Sequence, residues 1–306
     1  MLRYTLRRLL QLIPVLFGVT ILTFGILHSI PGDPIAVLAP TDATEEDLQA
    51  LRTEFGLDQP LPVQYLTYVG NVLQGNLGKS IRTRDPVAET LWRRLQFTVQ
   101  LTLLSIVVGV LLGVIAGVVA AVHQNTWIDN AIMVTSLTLL SIPGFWLSLM
   151  LLMLFAGTLR VLPSGGTGTI QHLILPAVVI SHGAAAVIAR FTRASMLDVV
   201  RQDYIRTVRA NGIPELLVVY KHALRNALNP VLTVVGLQFG FLLGGSAIIE
   251  TIFALPGIGR LMVNAIFTRD YPVIQGGILF IALTFVIVNL ITDLLYALVN
   301  PRIRYS

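Results

Sequence analysis

The sequence predicts an all-α integral membrane protein with six transmembrane helices. Over 306 residues the chain is 55% hydrophobic and 12% charged, with a mean hydropathy of +0.78, whereas an ordinary soluble domain has about 25% charged residues. About 20 consecutive apolar residues are needed to cross a bilayer. Six apolar runs, each nearly free of formal charge, meet that requirement: 9–30, 97–122, 131–159, 173–189, 231–249 and 272–299.

The first run predicts an uncleaved anchor helix at 1–30. Its apolar stretch exceeds the about 7–15 residues of a typical signal peptide, and residues 28–32, HSIPG, contain no small-x-small cleavage site. Arg3, Arg7 and Arg8 precede the run. Because Lys and Arg collect on the cytoplasmic side of membrane proteins, the amino terminus is predicted to be cytoplasmic.

The segments that connect the predicted spans then alternate between the two sides of the membrane. The turn 123–130, the segment 190–229 and the carboxyl terminus are predicted to be cytoplasmic together with the amino terminus. These segments hold twelve of the 21 Lys and Arg residues, although the turn 123–130 holds none. The net charge of +5 is therefore explained by the positive-inside rule, and no nucleic-acid partner is predicted.

The only sizeable polar block, 31–96, predicts an extracytoplasmic segment of short helices and loops. It holds nine acidic and six basic residues. Thr44 followed by Asp47 is typical of a capping box, and apolar residues at helical spacing then lead to a stop at Gly56. Three prolines punctuate the remainder. The block is too small and discontinuous for an enzyme domain, and 97–306 is predicted to be a core of five helices.

The third run is long for a membrane core of about 30 Å. Ser-Ile-Pro-Gly at 141–144 lies in its middle, and proline removes a helical hydrogen bond. The sequence therefore predicts a kink at 141–144 or the end of a shorter helix there.

Two stripes of glycine predict close helix packing. Glycines recur every fourth residue at 109, 113 and 117 in the second run and at 236, 240 and 244 in the fifth. Small residues at this spacing let helix backbones approach closely. The spacing is compatible with static packing and with helices that slide against each other.

The sequence contains no residue set for catalysis or metal binding. It has no cysteine, and its histidines, at 28, 123, 172, 182 and 222, form no i, i+4 pair of a zinc site. Residues 73–80, LQGNLGKS, end like a phosphate-binding loop. However, Leu73 stands where that loop needs glycine, and no apolar strand precedes it. We therefore predict no enzyme activity and no nucleotide or metal site.

An ion-coupled carrier is the alternative transporter class. Such carriers need ionisable groups in the middle of the membrane. Asp293 is the only formal charge well inside a predicted span, and Glu250 lies at the outer end of the fifth. Asp293 is compatible with a coupling acid, but a buried carboxylate bonded to helix ends or to Asn289 is favoured.

The basic segment 190–229 is the most informative part of the chain. It carries seven basic and three acidic residues between two apolar runs, and Gly212 and Pro214 interrupt its helical pattern. This pattern predicts a short helix, a bend and a resumed helix. The basic residues could pair with carboxylates of a protein partner or lie on anionic lipid.

Ordered motifs along nearly the whole chain resemble permease subunits of ABC importers of the dipeptide, oligopeptide and nickel family, most closely the glutathione-permease type. The matching motifs are LDQPL at 57–61, QY at 64–65, GNLGKS at 75–80, ARFTR at 189–193, DYIRTVRANG at 203–212, KHALRNAL at 221–228, LQFGFLLGGS at 237–246, PGIGR at 256–260, RDYPVIQ at 269–275 and NP at 300–301.

The resemblance implies the type I ABC importer permease fold in a bacterial inner membrane, with both termini cytoplasmic. It implies a homologous second permease, two cytoplasmic ABC ATPases and an extracytoplasmic substrate-binding protein as partners, with membrane lipid around the spans. ATP and Mg²⁺ would bind the ATPases, and this chain would bind no cofactor. The substrate would be glutathione, a dipeptide or an oligopeptide, with a nickel complex as the alternative; a scaffold without transport is a further rival.

Two sets of site residues follow from the resemblance. The region around 206–212 resembles the EAA loop, whose helices sit in a cleft of the ATPase, so a docking surface is implied at Asp203, Tyr204, Arg206, Thr207, Arg209, Ala210, Gly212, Lys221, His222, Arg225 and Asn226. The outer gate or pathway is implied at Gln238, Gly244, Gly245, Ser246, Glu250, Pro256 and Gly257.

Overall fold

The computed structural model describes residues 2–29, 35 and 44–299, and side chains at 10–29, 35, 44–242 and 246–291. These residues form helices and connecting turns, with no strand among them. The helices are α1 (Leu2–Ser29), α2 (Glu45–Glu54), α3 (Leu61–Leu73), α4 (Val87–Val122), α5 (Trp127–Ser141), α6 (Gly144–Leu151), α7 (Gln171–Val200), α8 (Asp203–Ala210), α9 (Leu224–Gly245), α10 (Ala247–Ile252), α11 (Ile258–Phe267) and α12 (Tyr271–Val299). A π-helix, Leu152–Thr158, extends α6, and a helical turn, Glu215–Leu217, and a π-helix, Val218–Ala223, precede α9.

Helix length and composition agree with a membrane protein. Within the described residues, four segments are long and apolar enough to cross a membrane: Leu10–Ser29, Val87–Val122, Gln171–Val200 and Tyr271–Ile291. The pair formed by α5 and α6 with its π-helical extension is a fifth candidate. The predicted fifth run, 231–249, is divided between α9 and α10, so the count of six spans stays a prediction.

The apolar runs did not give the helix boundaries. Helix α4 begins at Val87 rather than near 97, and α7 continues to Val200 rather than ending near 189. Charge ends an apolar run but does not end a helix, because Arg and Glu are good helix formers. The polar ends of α4 and α7 are therefore continuous with their apolar parts.

The break predicted at 141–144 is confirmed. Helix α5 ends at Ser141 and α6 begins at Gly144. The chain bends by 100° between α5 and the helix formed by α6 and its π-helical extension. Pro143 occupies the N-cap position of α6 in an extended conformation. The His182 ring contacts the carbonyl oxygens of Ile142, at 3.3 Å, and Val179. A side chain of α7 therefore contacts a carbonyl group at the break.

The chain divides into two compact units, Met1–Thr98 with Pro256–Ile287 and Val99–Leu255 with Val288–Ser306. The division into 1–30, 31–96 and 97–306 follows the predicted membrane crossings rather than packing, and it stays a prediction. The core of the first unit contains Leu27, Val87, Leu91, Ile258, Met262, Ala265, Tyr271, Val273 and Ile274.

The short helix predicted after Thr44 is confirmed. Thr44 caps α2, with its Oγ1 accepting from the Asp47 amide at 3.3 Å while Asp47 Oδ2 accepts from the Thr44 amide at 2.9 Å. The hydrogen bonds that Asp47 Oδ2 accepts from the Thr44 hydroxyl, at 2.7 Å, and from the Thr44 amide lower the pKa of the Asp47 carboxyl. Gly56, with φ of +66°, follows the end of the helix. The capping box and glycine thus delimit α2 as the sequence indicated.

The first glycine stripe is a site of close helix contact in the second unit. A Cβ atom at Gly113 would lie 2.7 Å from the carbonyl oxygen of Ala185, and one at Gly117 would lie 2.5 Å from that of Ala189. Close packing of α4 on α7 is therefore confirmed. Gly236 and Gly240 are buried, but Gly244 lies outside the described side chains, and close packing there stays a prediction, as does sliding at either stripe.

Candidate docking surface and cavities

Helix α8 rests on the second unit through one deeply buried side chain. Ile205 is fully buried in a cluster with Met196 of α7 and Val218 of the π-helix before α9. Asp203 and Arg206 are exposed, with Arg206 Nη1 3.4 Å from Asp203 Oδ1. An ion pair this exposed contributes little to stability, about 0–1 kcal/mol. Burial of Ile205 therefore anchors α8, and the charged groups remain available to a partner.

A turn at Gly212 ends α8, and an ion pair spans it. Gly212 has φ of +76°, which favours glycine because it has no Cβ atom. Arg209 donates from Nε to Glu215 Oε2 at 3.0 Å and from Nη2 to Oε1 at 2.6 Å. These bonds lower the pKa of the Glu215 carboxyl and raise that of Arg209. The predicted bend is confirmed, and it is fixed by a bidentate contact.

Tyr204 connects α8 to the residues before and within α9. Its hydroxyl accepts from Asn226 Nδ2 at 2.7 Å and donates to the carbonyl oxygen of His222 at 3.3 Å. Asn226 Nδ2 also donates to the His222 carbonyl oxygen at 3.2 Å. The two helices on either side of the bend are thus joined by side-chain hydrogen bonds.

The implied docking residues all lie at or beside this joint. Most are exposed and His222 is half-buried; the exposed members are Asp203, Tyr204, Arg206, Thr207, Arg209, Ala210, Gly212, Lys221, Arg225 and Asn226. We call these eleven residues the docking surface. Contact of the docking surface with an ATPase stays a prediction, although its solvent accessibility agrees with such a role.

Sequence reasoning missed an apolar patch beside the docking surface. Leu216, Leu217 and Tyr220 have exposed fractions of 71%, 47% and 54%. They fall within ELLVVY at 215–220, in which only Val218 and Val219 are buried. A short apolar run in a basic segment was the available signal, but its division into inward and outward side chains depends on the π-helical geometry.

A cavity of about 620 Å³ lies within the second unit. Its walls come mainly from apolar residues of α7 and α9, and the side chains of His182 and Gln238 are its polar groups. The remaining lining residues are Leu140, Gly144, Val179, Ile180, Gly183, Ala184, Val187, Leu237, Phe241, Leu242 and Ile249. A cavity of this size and polarity is typical of small-molecule sites, which span about 300–1,000 Å³. His182 was not predicted as a pathway residue.

The implied gate residues have different surroundings. Gln238 lines the cavity, whereas Ser246 and Glu250 are buried, with Ser246 Oγ donating to Glu250 Oε1 at 2.9 Å. Pro256 and Gly257 belong to the first unit. Gly244 and Gly245 end α9, but their surroundings lie outside the described side chains, as does the side chain of Asp293. The gate assignment stays a prediction.

The loop that ends like a phosphate-binding motif has a structural contact in the first unit. Asp270 accepts from Ser80 Oγ and from the Ile81 amide, the latter at 3.1 Å. Ser80 and Asp270 are each 4% exposed. Gly78 adopts φ of +79° just before this contact. The Ser80 hydroxyl therefore binds a carboxylate of the same chain, and the absence of a nucleotide site at this loop stays a prediction.

A partly buried ion pair in the second unit was also missed. Asp129 is 1% exposed and accepts from Arg193 Nε at 2.5 Å and Nη2 at 2.6 Å, and from the Asn125 amide at 3.0 Å. The pair joins the first turn of α5 to α7. Because breaking a buried pair leaves an uncompensated charge, this contact fixes the position of α5 beside α7.

Comparison with known protein families finds matches over both parts of the chain. Residues 109–305 match the family described as "Binding-protein-dependent transport system inner membrane component", and residues 1–102 match its amino-terminal counterpart, "Binding-prot-dependent transport system membrane comp, N-term".

Curated relatives match over the full length. The chain is 47% identical over 306 residues to the glutathione transport system permease protein GsiC of Escherichia coli (strain K12), covering 100% of both chains. The same identity and coverage hold for GsiC of Salmonella choleraesuis (strain SC-B67).

Solved structures share the fold at lower identity. An inward-facing structure of the MetNI methionine ABC transporter aligns with a TM-score of 0.59 at 22% identity, covering 69% of this chain and 96% of that one. An amino acid ABC transporter with histidines aligns with a TM-score of 0.52 at 18% identity, covering 70% and 94%. The helical architecture is thus that of ABC importer membrane subunits.

Proposed function

The chain belongs to the family of inner membrane components of binding-protein-dependent transport systems, and from that premise we propose that it imports glutathione or a similar short peptide. It is a membrane subunit of an ABC transporter rather than an enzyme. The proposed substrate rests on 47% identity over the full length to glutathione transport permeases.

In the proposed assembly the chain works with a homologous second permease, two cytoplasmic ATPases and an extracytoplasmic binding protein. ATP and Mg²⁺ bind to the ATPases. Both termini and the docking surface face the cytoplasm, and the segment 31–96 faces the opposite side, as the distribution of Lys and Arg supports. The substrate passes between the two permeases.

The single observation that carries the coupling part of the proposal is the attachment of α8. Burial of Ile205 fixes its inner face, the Tyr204–Asn226 hydrogen bond joins it to α9, and the Arg209–Glu215 pair fixes the turn that follows. A helix held at three points moves together with the helices it contacts. A force applied by an ATPase at the docking surface would therefore reach α7 and α9, which line the cavity.

Transport then follows from a shift between two states. ATP on the partner subunits and the loaded binding protein favour different orientations of the pathway, so their alternation moves the substrate inward. The cavity of about 620 Å³ can hold a short peptide. His182 and Gln238 offer hydrogen bonds to amide and carbonyl groups, while the apolar lining leaves the substrate weakly held.

The experiment is reconstitution of the chain with the partner subunits of its own transport system. Proteoliposomes carry ATP inside and receive the binding protein with labelled glutathione outside. We expect uptake that requires both ATP and the binding protein, and none with a non-hydrolysable ATP analogue. Uptake by this chain alone, driven by an ion gradient and indifferent to ATP, would contradict the proposal and favour a secondary carrier.

A further inference from the structure

A second cavity, of about 440 Å³, lies in the second unit beside the carboxyl-terminal half of α7. It is lined by Met133, Val187, Arg190, Phe191, Arg193 and Ala194. Four of these six side chains are apolar, and the other two carry guanidinium groups. A cation beside an apolar wall, at the end of α7 that is predicted to face the cytoplasm, is a candidate binding group for an anion.

The two guanidinium groups of this cavity differ in their partners. Arg193 makes the bidentate contact with Asp129, which compensates its charge. Arg190 is exposed and has no carboxylate partner among the described residues. The cavity therefore presents one uncompensated positive charge, and the Asp129–Arg193 pair holds the wall beside it.

The second cavity shares a lining residue with the larger one. Val187 lines both, and residues 183, 187, 190 and 194 follow each other at the spacing of one helix face. From His182 to Arg190 the helix rises by about 12 Å, at 1.5 Å per residue. An extended tripeptide spans about 10 Å, and the long arginine side chain can cover the remaining distance. A short peptide could therefore reach from the polar groups of the larger cavity to Arg190.

We propose that Arg190 binds the carboxylate of the transported peptide as it leaves the larger cavity, which makes Arg190 a specificity-determining residue for anionic substrates. The proposal rests on the proposed function, since it assumes a peptide substrate. The guanidinium group suits a carboxylate because its parallel N–H groups match the two oxygens. Release toward the cytoplasm follows because Arg190 begins the segment 190–229, which is predicted to be cytoplasmic.

A phospholipid phosphate offers Arg190 a similar oxyanion. Long cationic side chains at the ends of membrane helices often extend toward lipid head groups. The shared lining residue Val187 favours the substrate, because it places the second cavity next to the larger one along α7. The two sources are separated by changing the substrate and the lipid independently.

The test uses the complete transporter in vesicles of phosphatidylcholine with or without phosphatidylglycerol. Uptake of glutathione is compared with uptake of glutathione amidated at its glycine carboxyl, for the wild type, Arg190→Gln and Arg190→Lys. The control Arg201→Gln removes the same charge just after the same helix, outside both cavities and outside the docking surface. For each substrate the uptake rate of a variant is divided by that of the wild type. Because the same binding protein is used throughout, its preference between the two substrates cancels in this ratio.

We expect Arg190→Gln to lower glutathione uptake about tenfold, the factor for one charge-assisted hydrogen bond, while uptake of the amide changes less than about twofold. Arg190→Lys should cause a smaller selective loss because lysine keeps the charge without the bidentate geometry. Arg201→Gln should not change the ratio of the two substrates.

Equal losses for both substrates would overturn the proposal, and losses that follow the phosphatidylglycerol content would assign Arg190 to lipid. If Arg190→Gln fails to assemble, as judged by size-exclusion chromatography, Arg190→Lys decides, and unchanged selectivity in it would overturn the proposal. Absence of ATP-dependent peptide uptake by the wild type would instead reject the proposed function.

Discussion

The Tyr204 hydroxyl accepts a hydrogen bond from Asn226 Nδ2 at 2.7 Å, which joins two helices across the bend at Gly212. One end of this contact lies in α8, and the other lies in the first turn of α9, whose later residues line the larger cavity. Displacement of α8 is therefore transmitted to α9, or costs this hydrogen bond if the two separate. This relationship is the basis of the predictions on coupling.

Tyr204→Phe should weaken coupling without unfolding the chain. The substitution removes the hydroxyl and keeps the exposed ring, at a cost of about 1 kcal/mol for one hydrogen bond. We expect less glutathione transported per ATP hydrolysed, measured in the reconstituted transporter. Tyr68→Phe is the control: burial raises the pKa of Tyr68 to about 12 and its hydroxyl has no partner in the described structure. Equal ratios for wild type and Tyr204→Phe would contradict the prediction.

The Arg209–Glu215 pair should make the bend sensitive to acid. The pKa of Glu215 is lowered in the folded chain, so its contribution is present above the unfolded pKa of about 4.3 and is lost as pH falls through the lower folded value. We expect amide exchange at 203–215, corrected for the intrinsic pH dependence, to increase below about pH 4.3 in the wild type. Glu215→Gln should show the increased exchange already at neutral pH.

The control for this prediction is Glu89→Gln, because Glu89 faces Arg93 at 3.9 Å in an exposed pair on α4. In Glu89→Gln, amide exchange of the residues around position 89 should remain close to that of the wild type. The effect at Glu215 is small because the pair is partly exposed, about 0–1 kcal/mol. If amide exchange at 203–215 depends on pH in the same way in the wild type and in Glu215→Gln, the pair does not fix the bend.

Ser80→Ala should destabilise the first unit. The substitution removes one of the hydrogen bonds to the buried carboxylate of Asp270 and leaves the bond from the Ile81 amide. An incompletely satisfied buried acceptor costs about 1–3 kcal/mol. A lower midpoint of thermal unfolding in detergent is expected, whereas Ser164→Ala, at an exposed position, should leave the midpoint unchanged. Equal unfolding midpoints for the wild type and Ser80→Ala would rule out a structural role for the Ser80 contact.

Gly113→Ala should disrupt the packing of α4 on α7. The new methyl group would lie 2.7 Å from the Ala185 carbonyl oxygen, and backbone cannot yield as a flexible side chain would. Overpacking of this kind costs about 1–3 kcal/mol. The yield of monodisperse protein and the unfolding temperature should both fall. Gly25→Ala, with no atom within 4 Å of its Cβ position, is the matched control, and similar losses in both variants would contradict the contact.

Local signals in the sequence were sufficient where neighbouring residues determine the structure. Thr44 and Asp47 lie three residues apart and form a capping box. Pro143 lies within the break that it helps to cause, and Gly212 adopts the conformation that favours glycine. The glycine spacing in α4 also predicted close packing, because one helix face is defined by sequence periodicity.

Contacts between distant residues could not be predicted in the same way. Ser80 and Asp270 are separated by 190 residues, and Asp129 and Arg193 by 64. Each residue alone has several plausible roles: Ser80 ended a sequence like a phosphate-binding loop, and Arg193 was one of several basic residues beside an apolar run. Only the folded chain selects the partner. His182 likewise became a cavity residue only when α7 was positioned relative to the break at 141–144.

The most direct test of the account is the ratio of glutathione uptake to ATP hydrolysis in the reconstituted transporter carrying Arg206→Glu. Arg206 is 76% exposed, so reversal of its charge changes the docking surface without disturbing the core. We predict continued ATP hydrolysis with uptake reduced about tenfold or more, because a reversed charge at a contact costs at least the interaction of one charged pair. An unchanged ratio of uptake to hydrolysis would contradict the assignment of the docking surface as the point at which ATP drives transport.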